Sequence, residues 1–421
     1  MTDTSNKIRA EIRKSQKLDG VLYDIRGPVL KKAYEIEESG HEVIKLNIGN
    51  PAPFGFDAPA HILHEVESNI KNSQGYSDSK GLLSAREAVC EHYRLLKVPT
   101  LNPDDVYIGN GVSELVVMAL QALINNGDEV LIPAPDFPLW TAATSLCGGS
   151  PKHYLCDEST GWEPDLDDIR SKISRRTKAI VIINPNNPTG SVYSKKTLES
   201  LIELARNHNL VVFSDEIYDK ILFDKSHYQP TATLAEDILI VTFSGLSKSY
   251  QVAGFRTGWL VISGQKKMAE DYIEGLELLS SMRLCSNVPT QHAIATALQG
   301  NQEYLSLTKP GGRLFEQRNL AYQMINQIEG VSCEKPMGGF YLFPKLDTAH
   351  FNIESDEQFV LDLLEEKQVL VVQGSGFNWS KPDHFRIVFL PELTMLREAI
   401  SRIEDFLSSY QQETKKNKSD L

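Results

Sequence analysis

Three short apolar runs of this chain lead directly into side chains that can do chemistry. Residues 179–183 are followed by Asn184-Pro185-Asn186-Asn187-Pro188-Thr189-Gly190, and residues 210–213 by Ser214-Asp215-Glu216-Ile217-Tyr218. Residues 238–243 are followed by Ser244-Gly245-Leu246-Ser247-Lys248, with Arg256 eight positions on. Amide, carboxylate, phenol, amine and guanidinium thus follow the ends of apolar segments, a clustering that solvation does not explain. The planar fork of Arg256 suits phosphate oxygens, and Ser247 can add a hydroxyl. Gly111-Val112-Ser113 stands just before a helical pattern that begins at Glu114. Backbone N–H groups and a hydroxyl at a helix start make a natural anion site. Arg386, inside the apolar run 385–389, would be costly as an unpaired charge and is suited to grip a carboxylate with two parallel hydrogen bonds.

The elements that must position these groups follow from the same runs. Residues 129–132, 179–183, 210–213 and 238–243 lack the polar alternation of half-exposed strands, so they read as strands covered on both faces. Between two of them, Leu198, Leu201, Ile202 and Ala205 mark one helix face. This strand–helix–strand order predicts a largely parallel α/β sheet, in which ligands bind outside the carboxyl ends of the strands. After about residue 305 the pattern changes. A helical stretch at 310–328, Gly338-Gly339 with 340–343, a helix at 357–367, an apolar run at 369–372, a strand at 384–389 and a final helix at 391–410 predict a smaller α+β domain. The expected division is an N-terminal arm and part of the small domain at 1–54, a large domain at 55–305 and a C-terminal small domain at 306–421.

Composition narrows the function. The chain has 421 residues, 41% hydrophobic and 24% charged, as globular chains do, and a formal net charge of −13. An acidic surface repels phosphate backbones, so nucleic acid is not an expected partner. No apolar run reaches the roughly 18 residues needed to cross a bilayer, and the first residues lack the apolar core of a secretion signal. The five cysteines contain no C-x-x-C, so neither a disulfide framework nor a metal site is expected, and a reducing cytoplasm fits best.

The run NPNNPTG, then SDEIY, then GLSKSYQVAGFRTGW, in that order, resembles the class I aminotransferases that use pyridoxal 5′-phosphate (PLP). The segments YDIRGPVLKKA, LNIGNPAPFGFDAP and QGYSDSKGL resemble the alanine aminotransferase branch in particular. The resemblance implies the fold type I architecture of PLP-dependent transferases and L-alanine + 2-oxoglutarate = pyruvate + L-glutamate by ping-pong transamination. It assigns Lys248 as the lysine that holds PLP as an imine and then shuttles a proton. Asp215 would keep the ring nitrogen protonated, while Tyr218 and Asn187 would reach the ring's phenolic oxygen. Ser247, Arg256, Val112 and Ser113 would bind the phosphate. Phe137 occupies the position where the family stacks an aromatic on the ring, often Tyr or Trp. Tyr76 would reach the phosphate of a neighbouring subunit, which implies a homodimer with shared active sites. Arg386, Asn187 and Gly49 would contact substrate.

One pocket must accept both the methyl of alanine and the second carboxylate of glutamate. A fixed buried cation would be left unpaired with alanine, so a mobile arginine is expected, with Arg26 as candidate and Tyr23 helping to close a lid. The rival readings are another amino-acid specificity, a PLP-dependent C–S lyase, a regulator carrying an aminotransferase-like module, and a nucleotide-binding α/β protein. The regulator would need a DNA-binding domain, whereas about 20 residues precede YDIRGP; the last would need a G-x-G-x-x-G after its strands.

Overall fold

The structure, a computed structural model, describes residues 12–18, 21, 27–300 and 304–413. Its centre is an eight-stranded sheet built from β1 (Val106–Asn110), β2 (Glu129–Ala134), β3 (Ser150–Asp157), β4 (Glu163–Pro164), β5 (Thr177–Ile183), β6 (Val211–Asp215), β7 (Leu239–Gly245) and β8 (Thr257–Gly264). The spatial order is β1-β8-β7-β6-β5-β2-β3-β4. The middle pairings β7/β6, β6/β5, β5/β2 and β2/β3 are parallel. Those at the two edges, β1/β8, β8/β7 and β3/β4, are antiparallel.

Alternate residues along these strands enter different apolar clusters. Ile180 and Ile182 of β5, Val212 of β6 and Ile240 of β7 pack on one side. Val181, Phe213 and Val241 pack on the other. Side chains of a strand alternate between faces, so a continuously apolar strand is one covered on both. The helices that cover them are built by ordinary local rules. Lys195–His208 begins at Ser194, whose hydroxyl accepts from the Thr197 N–H, and ends at Asn209 in a left-handed conformation, φ 52°. Its buried stripe includes Leu198, Leu201, Ile202 and Ala205.

A third cluster joins early and late segments of the described residues. Val29, Ala33, Ile44 and Leu46 pack with Phe359, Leu363, Ile387 and Ile400. Ile44–Lys45 pairs in parallel with Val369–Leu370. The apolar run 369–372 is divided between two strands. Val369–Leu370 pairs with the N-terminal strand, whereas Val372–Gln373 pairs antiparallel with Phe385–Val388. Both pieces are fully buried, so hydrophobicity alone does not mark the break. Among the described residues no helix is long and apolar enough to cross a membrane.

Candidate active site

The sheet delivers its reactive groups to one edge. β5, β6 and β7 end together at Ile183, Asp215 and Gly245. β8 runs the opposite way, so it begins at that edge just after Arg256, and β1, antiparallel to β8, ends there at Asn110. A cavity of about 550 Å³ opens at this edge, a size suited to a cofactor with a small substrate. Its lining includes Gly49, Val112, Ser113, Phe137, Asn187, Asp215, Tyr218, Ser247, Lys248, Arg256 and Arg386. Tyr76 does not line it and is 81% exposed. Tyr23 and Arg26 lie outside the described residues.

Lys248 Nζ donates to the carbonyl of Gly49 at 2.7 Å. Desolvation lowers the amine's pKa; Tyr341 opposes this, the Arg386 and Arg256 charges add to it, and Asp215 opposes it. Gly49 is required to be small, because a Cβ there would stand 2.2 Å from the Tyr341 hydroxyl oxygen. Asp215, buried at the end of β6, accepts from Trp140 Nε1 at 3.2 Å and from the Ile217 N–H at 3.3 Å. Burial nevertheless pushes its carboxyl up to about 6. A buried carboxylate in such a place is poised for a cationic partner. Glu216 points away from the cavity. It accepts from Ser214 Oγ and Thr231 N and from the Tyr228 hydroxyl, a structural role.

An uncapped helix start lines the cavity where β1 meets its helix. Val112–Leu123 starts at Gly111 with no side-chain cap, so its first N–H groups remain available. Gly111 has φ +81°, and a Cβ on it would lie 2.3 Å from Arg256 Nη2. A Cβ on Gly258 would lie 2.8 Å from the Val112 nitrogen. The first approach brings the Arg256 guanidinium, which donates to the carbonyls of Ala253 and Asn110, beside the helix start, and the second brings β8 against it.

Arg386 is 2% exposed. It donates to Asn187 Oδ1 at 2.8 Å and to the Asn47 carbonyl. The rings of Tyr341 and Phe377 each lie 4.4 Å from its Cζ, within cation–π range. Tyr341 also hydrogen-bonds Tyr218, oxygen to oxygen, at 2.6 Å.

Four of these residues escaped the sequence reading: Asn47, Trp140, Tyr341 and Phe377. Tyr341 had a signal, since it follows Gly338-Gly339, and Gly190 and Gly338 admit close approach of the two loops. Trp140 had none, because its partner is 75 residues away.

The donor set fits PLP: an amine, a buried carboxylate for a ring cation, an aromatic face at Phe137 and an uncapped helix start with an arginine for phosphate. The comparisons with known proteins agree with that fit. The sequence model described as Aminotransferase class I and II matches residues 41–403. The glutamate-pyruvate aminotransferase AlaA of Escherichia coli is 60% identical over 401 residues, covering 95% of this chain and 99% of that protein. The alanine aminotransferase of Mycobacterium bovis is 56% identical over 409 residues, covering 97% of this chain and 95% of that one. Among solved structures, an aminotransferase from Escherichia coli superposes with a TM-score of 0.95 at 60% identity, covering 96% of this chain and all of the other. The alanine aminotransferase from Pyrococcus furiosus gives 0.90 at 39% identity, covering 94% of this chain and all of the other.

Proposed function

The chain belongs to the class I and II aminotransferases, PLP-dependent enzymes of fold type I, and on that premise we propose that it is an alanine aminotransferase. It would exchange the amino group between L-alanine and 2-oxoglutarate, giving pyruvate and L-glutamate. The observation that carries the site assignment is the convergence of Lys248, Asp215 and Arg386 on one cavity. The alanine and glutamate specificity rests on the named activities of relatives that match nearly end to end.

When bound, PLP supplies the covalent anchor for the amino group and the electron sink that acidifies the substrate Cα–H. Arg256, Ser247 and the first N–H groups of the helix Val112–Leu123 would hold the phosphate. Asp215 would keep a proton on the ring nitrogen, and Trp140 holds that carboxylate in place. Asn187 and Tyr218 would hold the ring through its phenolic oxygen, and Phe137 would lie against its face. Arg386 binds the α-carboxylate common to both amino acids. Gly49 leaves room for the substrate and accepts from the resting Lys248. Lys248 would hold and move the proton at the substrate Cα; its lowered pKa favours the neutral amine that this task needs.

We assign residues 1–54 and 306–421 to a smaller unit and 55–305 to a larger one, in keeping with the third apolar cluster. The working enzyme would be a homodimer in which Tyr76 completes the partner's phosphate site. Near Tyr76, Arg283 bonds the Ser79 carbonyl, and Leu278, Met282 and Leu284 are all more than half exposed, an apolar face for a second copy. A reducing cytoplasm fits five free cysteines. The site assignment is tested by trapping bound PLP with borohydride and mapping the labelled peptide. Label on Lys248 supports it, and label on another lysine contradicts it.

A further inference from the structure

Outside the cavity, one buried carboxyl is tied to both halves of the site. Asp136 follows β2 and immediately precedes Phe137, and it is completely buried. Its backbone N–H donates to the Phe377 carbonyl at 2.9 Å. Its Oδ1 accepts from Asn378 Nδ2 at 2.6 Å, and its Oδ2 accepts from Thr141 Oγ1 at 3.0 Å. Two hydrogen bonds therefore clasp the Phe137 segment to the turn at Phe377–Asn378, across more than 240 positions of sequence. That turn follows the short strand Val372–Gln373, whose Val372 stands opposite Arg386. Phe377 itself is fully buried and lies against the Arg386 guanidinium.

The clasp is built for position. Asn378 sits at φ 57°, a conformation that Asn tolerates better than most residues, and it points its amide at Asp136. Thr141 also reaches His153 Nε2 at 2.8 Å, so the carboxyl is held from the helix Leu139–Leu146 as well.

We propose that Asp136 is a positioning residue for the substrate carboxylate: by clasping the Phe377–Asn378 turn it sets where Phe377 backs Arg386, in register with the cofactor-facing Phe137. The inference rests on the reading of Arg386 as the α-carboxylate site.

Asp136→Ala removes the side-chain half of the clasp. Displacing a binding group by a fraction of an ångström costs on the order of tenfold. KM for alanine, glutamate and both oxo acids should therefore rise together by about tenfold, with kcat and PLP affinity within about threefold. Asn378→Gly, which drops the amide without placing a Cβ at positive φ, should give the same rise. Contacting residues couple, so the double variant should be no worse than either single one. Asp136→Asn keeps an acceptor for Asn378 and should restore KM to within about threefold of wild type. Burial pushes the carboxyl up to about 7, so its charge is not obligatory at neutral pH.

Arg386→Lys is assayed beside them. If it raises KM while Asp136→Ala and Asn378→Gly do not, the positioning role is wrong and the Arg386 reading stands. If Arg386→Lys leaves KM unchanged, the reading fails and the inference falls with it. Should Asp136→Ala not fold, Asn378→Gly decides alone: a shared KM rise with PLP affinity held supports the proposal, and loss of melting temperature or PLP affinity without a KM change overturns it.

Discussion

Asn187 Oδ1 accepts a hydrogen bond from Arg386 Nη1 at 2.8 Å, joining the loop after β5 to the strand Phe385–Val388. An arginine only donates, so this bond fixes the amide's orientation and leaves Nδ2 as the group with a proton to give. On the proposed reading one pair would serve two ligands, Nδ2 a ring oxygen and the guanidinium a carboxylate.

Replacing Arg386 with lysine keeps the charge but loses the fork. Charge-assisted hydrogen bonds are worth roughly 1.5–3 kcal/mol, so KM for alanine and for glutamate should rise about ten- to a hundredfold. PLP binding should hold. Steady-state kinetics with a parallel PLP titration checks this, and unchanged saturation by alanine would move the carboxylate site elsewhere.

Asp215 makes a prediction about pH in the cofactor-free protein. Its pKa is raised from 3.8 to about 6 by burial, so the folded chain holds this proton more tightly than the unfolded one. The stability it contributes is full below about pH 4 and is lost as pH rises through about 6. The loss above that is about two pH units, roughly 3 kcal/mol. Cofactor-free Asp215→Asn should therefore melt higher relative to wild type at pH 7.5 than at pH 4.5. A difference in melting temperature that does not change with pH would contradict this. With PLP present, the same variant should bind the phosphate end yet turn over poorly.

Gly111→Ala is expected to damage the phosphate end alone. The new methyl would sit at φ +81° and collide with Arg256 Nη2. PLP affinity should fall at least tenfold, because Arg256 must leave the helix start, while amino-acid KM at saturating PLP changes little. Equal losses in PLP and substrate binding would show a general collapse of the edge instead.

The parts of this site legible in the sequence share one physical cause. Asn187, Asp215 and Lys248 each follow a strand buried on both faces, and such strands show as unbroken apolar runs whose carboxyl ends locate the site. The middle of the sheet was legible for that reason too. β8 was not, though Thr257–Gly264 is as apolar as its neighbours, because nothing in a run of buried residues gives its direction. Tyr341, Trp140 and the Asp136–Asn378 clasp were hidden differently. Tyr341 meets Tyr218 across 123 positions and Asn378 meets Asp136 across 242, and no local pattern encodes such pairings. Tyr76 is a third case: it is exposed, and nothing within the one chain brings it to the cavity.

Lys248 is assigned as the group that moves the proton in an alanine–glutamate exchange. The direct measurement is product formation from L-alanine and 2-oxoglutarate, with PLP present, by wild type and by Lys248→Ala. On this assignment, pyruvate and glutamate in equal amounts are expected from the wild type, with no free ammonia, and turnover below a few per cent from the variant with its melting temperature preserved. Ammonia release without an oxo acid, or substantial turnover by Lys248→Ala, would contradict it.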